Sequence, residues 1–183
     1  PKEEKSVNYE LGARYNENSF NSDLVFFFSD YSNLLGADTI SSGGTGSGDL
    51  YNAGEVDVYG LELALAYDLV ESLESSFAVP VKLAYTYTNA EFKNTFQSNF
   101  FGNVTKGDDL PYLPQHQLYT SLGFEYDALG IYFDSYFSDS MKTVAGEVGF
   151  PDTTDSYVVF DLLTKWQLSD DVKLFANVEN LFD

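Results

Sequence analysis

Residues 156–183 read SYVVFDLLTKWQLSDDVKLFANVENLFD, and this stretch decides the class of fold. Mostly apolar side chains occupy every second position from 158 to 166 and again from 172 to 178, with polar residues between them. Alternation of this kind indicates β-strands, and the polar segment 169–171 between the two runs indicates a tight turn. The stretch predicts an antiparallel hairpin with one apolar and one polar face. Because the second strand has no following partner to cover its edge, we expect these residues to be part of a longer chain.

The same period of two recurs along the chain. With the closing hairpin, the alternating runs near 7–15, 20–35, 59–67, 79–87, 118–126 and 131–137 predict about eight strands. The outer face of the second run stays open, because aromatic residues occupy both of its sides. Short and long connections alternate. Residues 36–54 are expected to be a solvated loop, and residues 94–115 and 139–155 are expected to be the other long loops. This pattern predicts an all-β, antiparallel, up-and-down sheet with its long loops at one end, as in transmembrane β-barrels of bacterial outer membranes.

The run from Tyr59 to Tyr67 shows the alternation best. Three leucines on one face are bracketed by a tyrosine at each end. The run is about 26 Å long at ~3.3 Å per residue, or about 20 Å tall when tilted by ~40°. That height approaches the ~25 Å apolar band between the two aromatic girdles of an outer-membrane barrel. The face that carries Leu63 is therefore predicted to meet lipid, and the face that carries Glu62 is predicted to line a wet lumen.

Composition excludes several classes of protein. The formal net charge of −20, with 9 basic residues among 183, argues against binding to nucleic acid. Cysteine is absent, which excludes disulfides and thiolate metal sites. No apolar run reaches the roughly 18 residues that a spanning helix needs. Aromatic residues reach 17%, which suits strands and membrane interfaces.

Catalytic motifs are not found. His116 is the only histidine, so a catalytic triad or a histidine metal cluster could be built only around it. The glycine-rich segment 43–48 lacks the lysine of a phosphate-binding loop. The chain is therefore not expected to be an enzyme. Loosely bound Ca²⁺ or Mg²⁺ is expected at loop carboxylates, which are Asp38, Asp49, Asp108, Asp109, Glu147, Asp152 and Asp155.

Several segments together resemble a known family. They are EKSVNYELG at 4–12, YGLE at 59–62, LPQHQL at 113–118 and the closing run 159–183, which ends in NLFD. In this order they resemble the C-terminal part of the barrel of TonB-dependent outer-membrane receptors, and within that family the ferric citrate-type iron-chelate receptors.

The resemblance implies that residues 1–183 are a C-terminal segment of a barrel of about 22 strands, with a plug domain and a closing strand outside these residues. It implies a place in the outer membrane of a Gram-negative bacterium, in contact with lipid and lipopolysaccharide. It also implies active uptake of an iron chelate such as a siderophore, energised by the TonB complex. Gln115, His116 and Gln117 are the candidate ligand contacts at the lumen mouth. Ferric citrate is anionic and the loops are acidic, so its cationic contacts are not expected here.

Two alternatives stay open at this point. A self-contained eight-stranded outer-membrane barrel with a structural or adhesive role fits the strand count. A soluble β-sandwich that binds a ligand fits the high charge. A self-contained barrel is expected to end on an aromatic-terminated strand that pairs with the first strand, and Asp183 does not fit that expectation.

Overall fold

The computed structural model describes residues 2–37, 46–52, 54–70, 76–98, 101–145 and 153–182. The strands found in these ranges are, in chain order, β1 Lys5–Glu17, β2 Phe20–Ser32, β3 Leu35–Ala37, β4 Leu50–Asn52, β5 Val56–Asp68, β6 Phe77–Ala78, β7 Pro80–Phe92, β8 Phe96–Ser98, β9 Gly102–Val104, β10 His116–Tyr126, β11 Leu129–Ser138, β12 Tyr157–Ser169 and β13 Val172–Val178. The eight long strands lie where the alternation predicts them.

These long strands form one antiparallel sheet in the order β1-β2-β5-β7-β10-β11-β12-β13. Each long strand pairs with the next long strand along the chain, and β6 adds a short pairing to β10. The predicted up-and-down topology is therefore confirmed. Tight turns join β1 to β2, β10 to β11 and β12 to β13 at one end of the sheet, here called the turn end. The long connections meet at the opposite end, the loop end.

The pairing register gives the sheet two chemically different faces. Leu11, Phe26, Leu61 and Tyr87 lie side by side across four strands, and we call their side the apolar face. The adjoining row is Gly12, Val25, Glu62 and Thr86, on the side that we call the polar face. The register also shows which residues of β2 lie on each face, a question that the sequence left open. Phe26 and Phe28 lie on the apolar face, and Phe27 lies on the polar face. Alternate residues face opposite sides of a sheet, so one register fixes both faces.

Aromatic rings gather at both ends of the apolar face. Ring pairs at the turn end are Tyr15–Phe20, Phe20–Tyr67 and Phe77–Phe124, with centroids 6.1, 6.2 and 5.7 Å apart. At the loop end, the centroids of Tyr9 and Phe28 are 6.4 Å apart. Between the two belts Leu11 is 74% exposed and Leu122 52% exposed. An exposed apolar band between aromatic belts is the surface that a membrane-spanning barrel turns to lipid.

One hydroxyl pair interrupts the apolar face. Thr120 of β10 lies opposite Ser135 of β11, and their hydroxyl oxygens are 2.7 Å apart. In hydrocarbon an unpaired hydroxyl is costly, because no water replaces the missing hydrogen bond. The two polar groups satisfy each other and so remain compatible with a lipid-facing position.

Gly60 marks a close approach between β5 and β7. A Cβ atom at this position would lie 1.9 Å from the carbonyl oxygen of Tyr87 and 2.8 Å from the Phe27 ring. The ring of Phe27 therefore occupies the space that a larger residue at position 60 would need. Glycine is required here for packing rather than for a turn.

The long loops contain more structure than the sequence predicted. Residues 36–54 were expected to be an open loop, yet β3 and β4 pair as a small hairpin within the described part of this connection. In the same way, β8 and β9 form a hairpin inside the predicted loop 94–115. These segments are loops at one end of the sheet, as predicted, and the hairpins are additional structure within them. Each hairpin pairs only three residues on each strand, and the average composition of the loop does not reveal so short a pairing.

The most deeply buried apolar cluster lies at the loop end. Its members, all 4% exposed or less, are Val56, Ala90, Phe92, Val104 and Ala145. Rings of Phe96 and Phe101 stand edge-on against Phe92, with centroids 5.5 and 5.4 Å away. Val56 and Phe92 are register partners and belong to the polar face. At the loop end, where the loops cover it, the polar face therefore carries apolar side chains.

The topology separates the three classes of protein. Within the described ranges β1 and β13 are the two outer strands of an open sheet and do not pair with each other. A self-contained eight-stranded barrel requires that closure, and a β-sandwich requires a second large sheet packed on the first. Neither arrangement is found among the described residues, which instead form an open antiparallel wall. No helix in the described part of the chain is long and apolar enough to cross a membrane.

Candidate functional site

A cavity of ≈ 200 Å³ opens at the loop end of the polar face. Thr88 and Ala90 of β7 form its floor, and the two long connections after β7 and β11 form its sides. The charged and hydrogen-bonding residues of the lining are Thr88, Asp109, Gln115, Asp139, Ser140, Lys142 and Thr153. Leu110, Leu113 and Met141 supply apolar surface. The cavity is concave, as small-molecule binding sites usually are, and its lining is mainly polar.

Backbone hydrogen bonds fix the walls of this cavity. The amide of Leu110 donates to the carbonyl of Ala90 at 2.9 Å, which lays the first loop against the end of β7. The amide of Tyr112 donates to the carbonyl of Lys142 at 2.7 Å, which joins the first loop to the second. Lys142 also forms an isolated bridge with Thr153 across the second loop. The described parts of the two loops are therefore joined to each other beside the cavity.

The three candidate ligand contacts lie in different surroundings. Gln115 lines the cavity and donates from Nε2 to Oδ1 of Asn89 at 3.2 Å. Gln117 lies on the polar face and donates to the Tyr136 hydroxyl at 2.6 Å. His116 lies on the opposite, apolar face, in register with Tyr87. The structure therefore brings only Gln115 to the cavity, and ligand contact by any of the three stays a prediction.

His116 is part of the loop-end aromatic belt. Its Nδ1 is 2.7 Å from the Tyr85 hydroxyl oxygen, and its ring centroid is 5.2 Å from that of Tyr87. The sequence could not reveal this, because a residue at a loop-to-strand junction can point to either side. The hydrogen bond with Tyr85, the stacked Tyr85 ring and the tilted Tyr87 ring hold His116 within the aromatic belt on the apolar face.

The acidic residues proposed for Ca²⁺ or Mg²⁺ are dispersed. Asp109 lines the cavity, whereas a carboxylate oxygen of Asp108 accepts a hydrogen bond from the Thr105 amide at 2.7 Å. Asp49 and Asp155 are exposed, and Asp38, Glu147 and Asp152 lie outside the described residues. Among the described residues no group of three or more His, Asp or Glu side chains is arranged to hold a metal ion. Loose association of divalent cations remains a prediction.

Two aspartates balance the charge of one lysine just above the apolar band. The Lys93 ammonium is 2.9 Å from the Asp30 carboxylate and 3.2 Å from that of Asp57. Hydrogen bonds, first with Asp30 and then with Asp57, raise the pKa of Lys93 above its ordinary value. The lysine remains charged at physiological pH, and its charge is offset by the two aspartates.

Sequence reasoning missed Asp139 and Lys142 as members of the site. Both belong to the connection after β11, which lies beside residues 109–115 only because β10 and β11 are neighbours. Nothing in their local sequence signals this proximity. Their position just after a predicted strand at the loop end is the one available hint.

Known proteins resemble this chain over its whole length. The family described as "TonB dependent receptor-like, beta-barrel" matches residues 2–181. The ferrienterobactin receptor of Escherichia coli (strain K12) is 28% identical over 192 residues, which cover 100% of this chain and 24% of the relative. A crystal structure of the ferric enterobactin receptor of Pseudomonas aeruginosa superimposes with a TM-score of 0.68 at 26% identity, covering 98% of this chain and 26% of that one.

The ferric-catecholate import receptor Fiu from K12 E. coli shares the fold, with a TM-score of 0.66 at 22% identity over 100% of this chain and 24% of the other. The chain thus spans about a quarter of the length of the receptors that it matches. The match to the family covers nearly every residue and agrees with the open, two-faced antiparallel wall. The predicted subgroup of ferric citrate-type receptors is a finer distinction and stays a prediction. The chain belongs to the TonB-dependent receptor β-barrel family and is part of an outer-membrane protein of a Gram-negative bacterium.

Proposed function

We propose that this chain forms part of the barrel wall of a receptor that imports an iron chelate across the outer membrane. Curated relatives that align with the whole chain are named as receptors for ferric enterobactin. The observation that carries the proposal is the two-faced sheet, in which a lipid-facing apolar band backs a polar wall with a cavity at its loop end. In this arrangement the chain contributes eight long strands of a larger barrel. The plug domain and the closing strand are proposed to come from other parts of the protein.

The energy source and lipid contacts are part of the same proposal. Uptake is driven by the TonB complex, which acts through parts of the receptor outside these residues. The apolar face contacts outer-membrane lipid between its aromatic belts. Lipopolysaccharide meets the loop end above the Tyr9–Phe28 belt, where Asp30, Asp57 and Lys93 form a polar collar. Loosely held Ca²⁺ or Mg²⁺ would offset repulsion between loop carboxylates and lipid phosphates.

We propose fewer ligand contacts than the sequence suggested. Gln115 is favoured because it is the one residue of the three that lines the cavity. Gln117 is the second candidate, since it lies farther along the same polar face. The position of His116 among tyrosines on the apolar face supports a structural role at the membrane interface rather than a ligand contact.

Uptake by whole cells tests the proposal. A strain that lacks the full-length receptor should lose uptake of one chelate of radioactive iron and regain it when the gene is restored. Uptake should also vanish in a strain that lacks TonB. Normal uptake of every chelate in a panel by the receptor-deficient strain would refute import as the function. Uptake that persists without TonB would refute the energy-coupling step alone.

A further inference from the structure

Asn89 is a buried amide whose hydrogen-bonding groups all have partners. It lies opposite Tyr59 in the register of β5 and β7 and is 6% exposed. Its Nδ2 donates to the Tyr59 hydroxyl oxygen at 2.8 Å and to Oε1 of Glu91 at 2.6 Å. Its Oδ1 accepts from Nε2 of Gln115 at 3.2 Å. Both N–H donors and the oxygen of this amide are therefore in use.

Glu91 decides which way this amide points. The nitrogen and oxygen ends of an amide have nearly the same shape, so their partners determine the orientation. A carboxylate accepts hydrogen bonds and donates none, so the nitrogen of Asn89 must face Glu91. The oxygen of Asn89 then faces Gln115, which can meet it only with an N–H group. The Tyr59 hydroxyl fits either orientation, so one carboxylate orients two amides in series.

The second amide of this series ends at the cavity. Gln115 lines the cavity, and its carbonyl accepts from the Thr88 amide at 2.9 Å, which fixes its backbone. In the described part of the chain no group donates to its side-chain oxygen Oε1, which is also not among the buried atoms that lack a partner. This oxygen is therefore accessible. The cavity lining thus offers an acceptor at this position, and Glu91 is tied to the same wall by its isolated bridge to Asp109.

We propose that Asn89 and Glu91 are positioning residues for ligand binding. They hold the Gln115 amide with Oε1 toward the cavity, where it accepts a hydrogen bond from an N–H or O–H group of the bound iron chelate. Neither positioning residue lines the cavity itself. A chelate that presents only acceptors at this point would meet an oxygen with no donor between them, which is costly in a partly enclosed site. This inference rests on the proposed import function and deepens it, because it names the kind of group that the ligand must present.

Binding by the full-length receptor tests the inference. The purified receptor in lipid nanodiscs would be titrated with two ferric chelates that carry amide N–H groups, one a tricatecholate and the other a trihydroxamate, and the tighter binder would serve as the probe. Gln115→Met and Asn89→Ala should each weaken its binding by about fivefold or more, because the acceptor is removed or is no longer held. Glu91→Lys offers only donors, so both amides should turn over and the loss should be as large. Glu91→Gln keeps an acceptor oxygen beside Asn89 and should change binding by less than about twofold.

Two comparisons separate positioning from a general structural role. In the Gln115→Met background, Asn89→Ala and Glu91→Lys should change binding by less than about twofold, because no acceptor is left to position. Asn177→Ala is the matched control. Asn177 likewise donates from Nδ2 to a glutamate two residues farther on, Oε1 of Glu179, at 2.9 Å, but it lies on β13, four positions along the sheet from β7. This variant should bind the probe as the unaltered receptor does.

Each outcome decides one question. Undiminished binding in Asn89→Ala and Glu91→Lys would overturn the positioning role, as would equally large losses in the Gln115→Met background or in Asn177→Ala. A loss in Glu91→Gln equal to that in Glu91→Lys, with both variants shown to be folded by their migration in unheated gels, would overturn the assignment of donor and acceptor. Undiminished binding in Gln115→Met would overturn the ligand contact and leave the import function standing. Failure of both chelates to bind the unaltered receptor would count against the proposed import function itself, and the inference would fall with it.

Discussion

Leu63 offers the sharpest test of which face meets lipid. It lies on the apolar face at the middle of β5, four residues from Tyr59 and four from Tyr67, and its register partners are Leu24 and Tyr85. At ~3.3 Å per residue it is about 13 Å along the strand from either tyrosine. With a tilt of ~40° it is therefore about 10 Å in height from each aromatic belt, close to the centre of the bilayer.

Leu63→Arg places a charge at that depth and should be costly. Arginine on the lipid face costs about 2–4 kcal/mol at the bilayer midplane. The neighbouring Ala64 points to the polar face, where its side chain is exposed. Ala64→Arg keeps its charge in water, and Glu62, two residues away on the same face, can offset it by about 0.2–1 kcal/mol. The two variants should differ by about 2–3 kcal/mol although they introduce the same side chain one residue apart.

The free energy of unfolding of the full-length receptor would be measured for both variants by urea titration in lipid vesicles. The native and unfolded forms can be separated by their different migration in gels without heating. Equal losses for Leu63→Arg and Ala64→Arg would refute the assignment of the faces, and a larger loss for Ala64→Arg would reverse it. Labelling of cysteine at the same two positions gives an independent check, because only a cysteine at position 64 should react readily with a water-soluble maleimide.

Three further predictions concern packing, polar pairing and pH. Gly60→Ala should destabilise the receptor by about 1–3 kcal/mol in the same titration, because the Cβ of the new alanine would lie 1.9 Å from a backbone oxygen. Gly12→Ala is the control and should be tolerated, because the nearest atoms to a Cβ at position 12 are 3.4 Å away. Ser135→Ala should cost about 1–2 kcal/mol by leaving the Thr120 hydroxyl unpaired in lipid, and adding Thr120→Val should restore part of that loss in a double-mutant cycle. The ion pairs of Lys93 raise its pKa in the folded protein. Their contribution to stability should therefore be complete below a pH of about 10.4, the pKa of lysine in the unfolded chain, and should be lost as the pH rises through the higher pKa of the folded protein. Lys93→Met should remove this pH dependence from unfolding curves measured at pH 8 to 12.

The aromatic belts and the two faces of most strands could be predicted from sequence alone. Alternation at a period of two is a local property, so the run Tyr59–Tyr67 already separated Leu63 from Glu62. β2 was the exception, because Phe26, Phe27 and Phe28 give no alternation. Only pairing with β1 and β5 decided which of these rings faces lipid.

The candidate site could be predicted only in part. The sequence placed Gln115, His116 and Gln117 together because they are adjacent in the chain. In a strand adjacent residues point to opposite faces, so His116 went to the aromatic belt and Gln117 to the polar face. Asp139 and Lys142 joined Gln115 from a different connection, which no local pattern can indicate.

By itself, the sequence determined the all-β class, the eight long strands, their order and the end at which the long loops meet, because alternation and turn residues act over a few neighbouring positions. The tertiary structure alone decided that the sheet stays open in the described residues and that the loops fold into hairpins over a buried cluster at Phe92. It alone also decided that one cavity is shared by two loops distant in sequence. These features depend on contacts between residues far apart in the chain, whose loop-closure entropy and packing have no local signature.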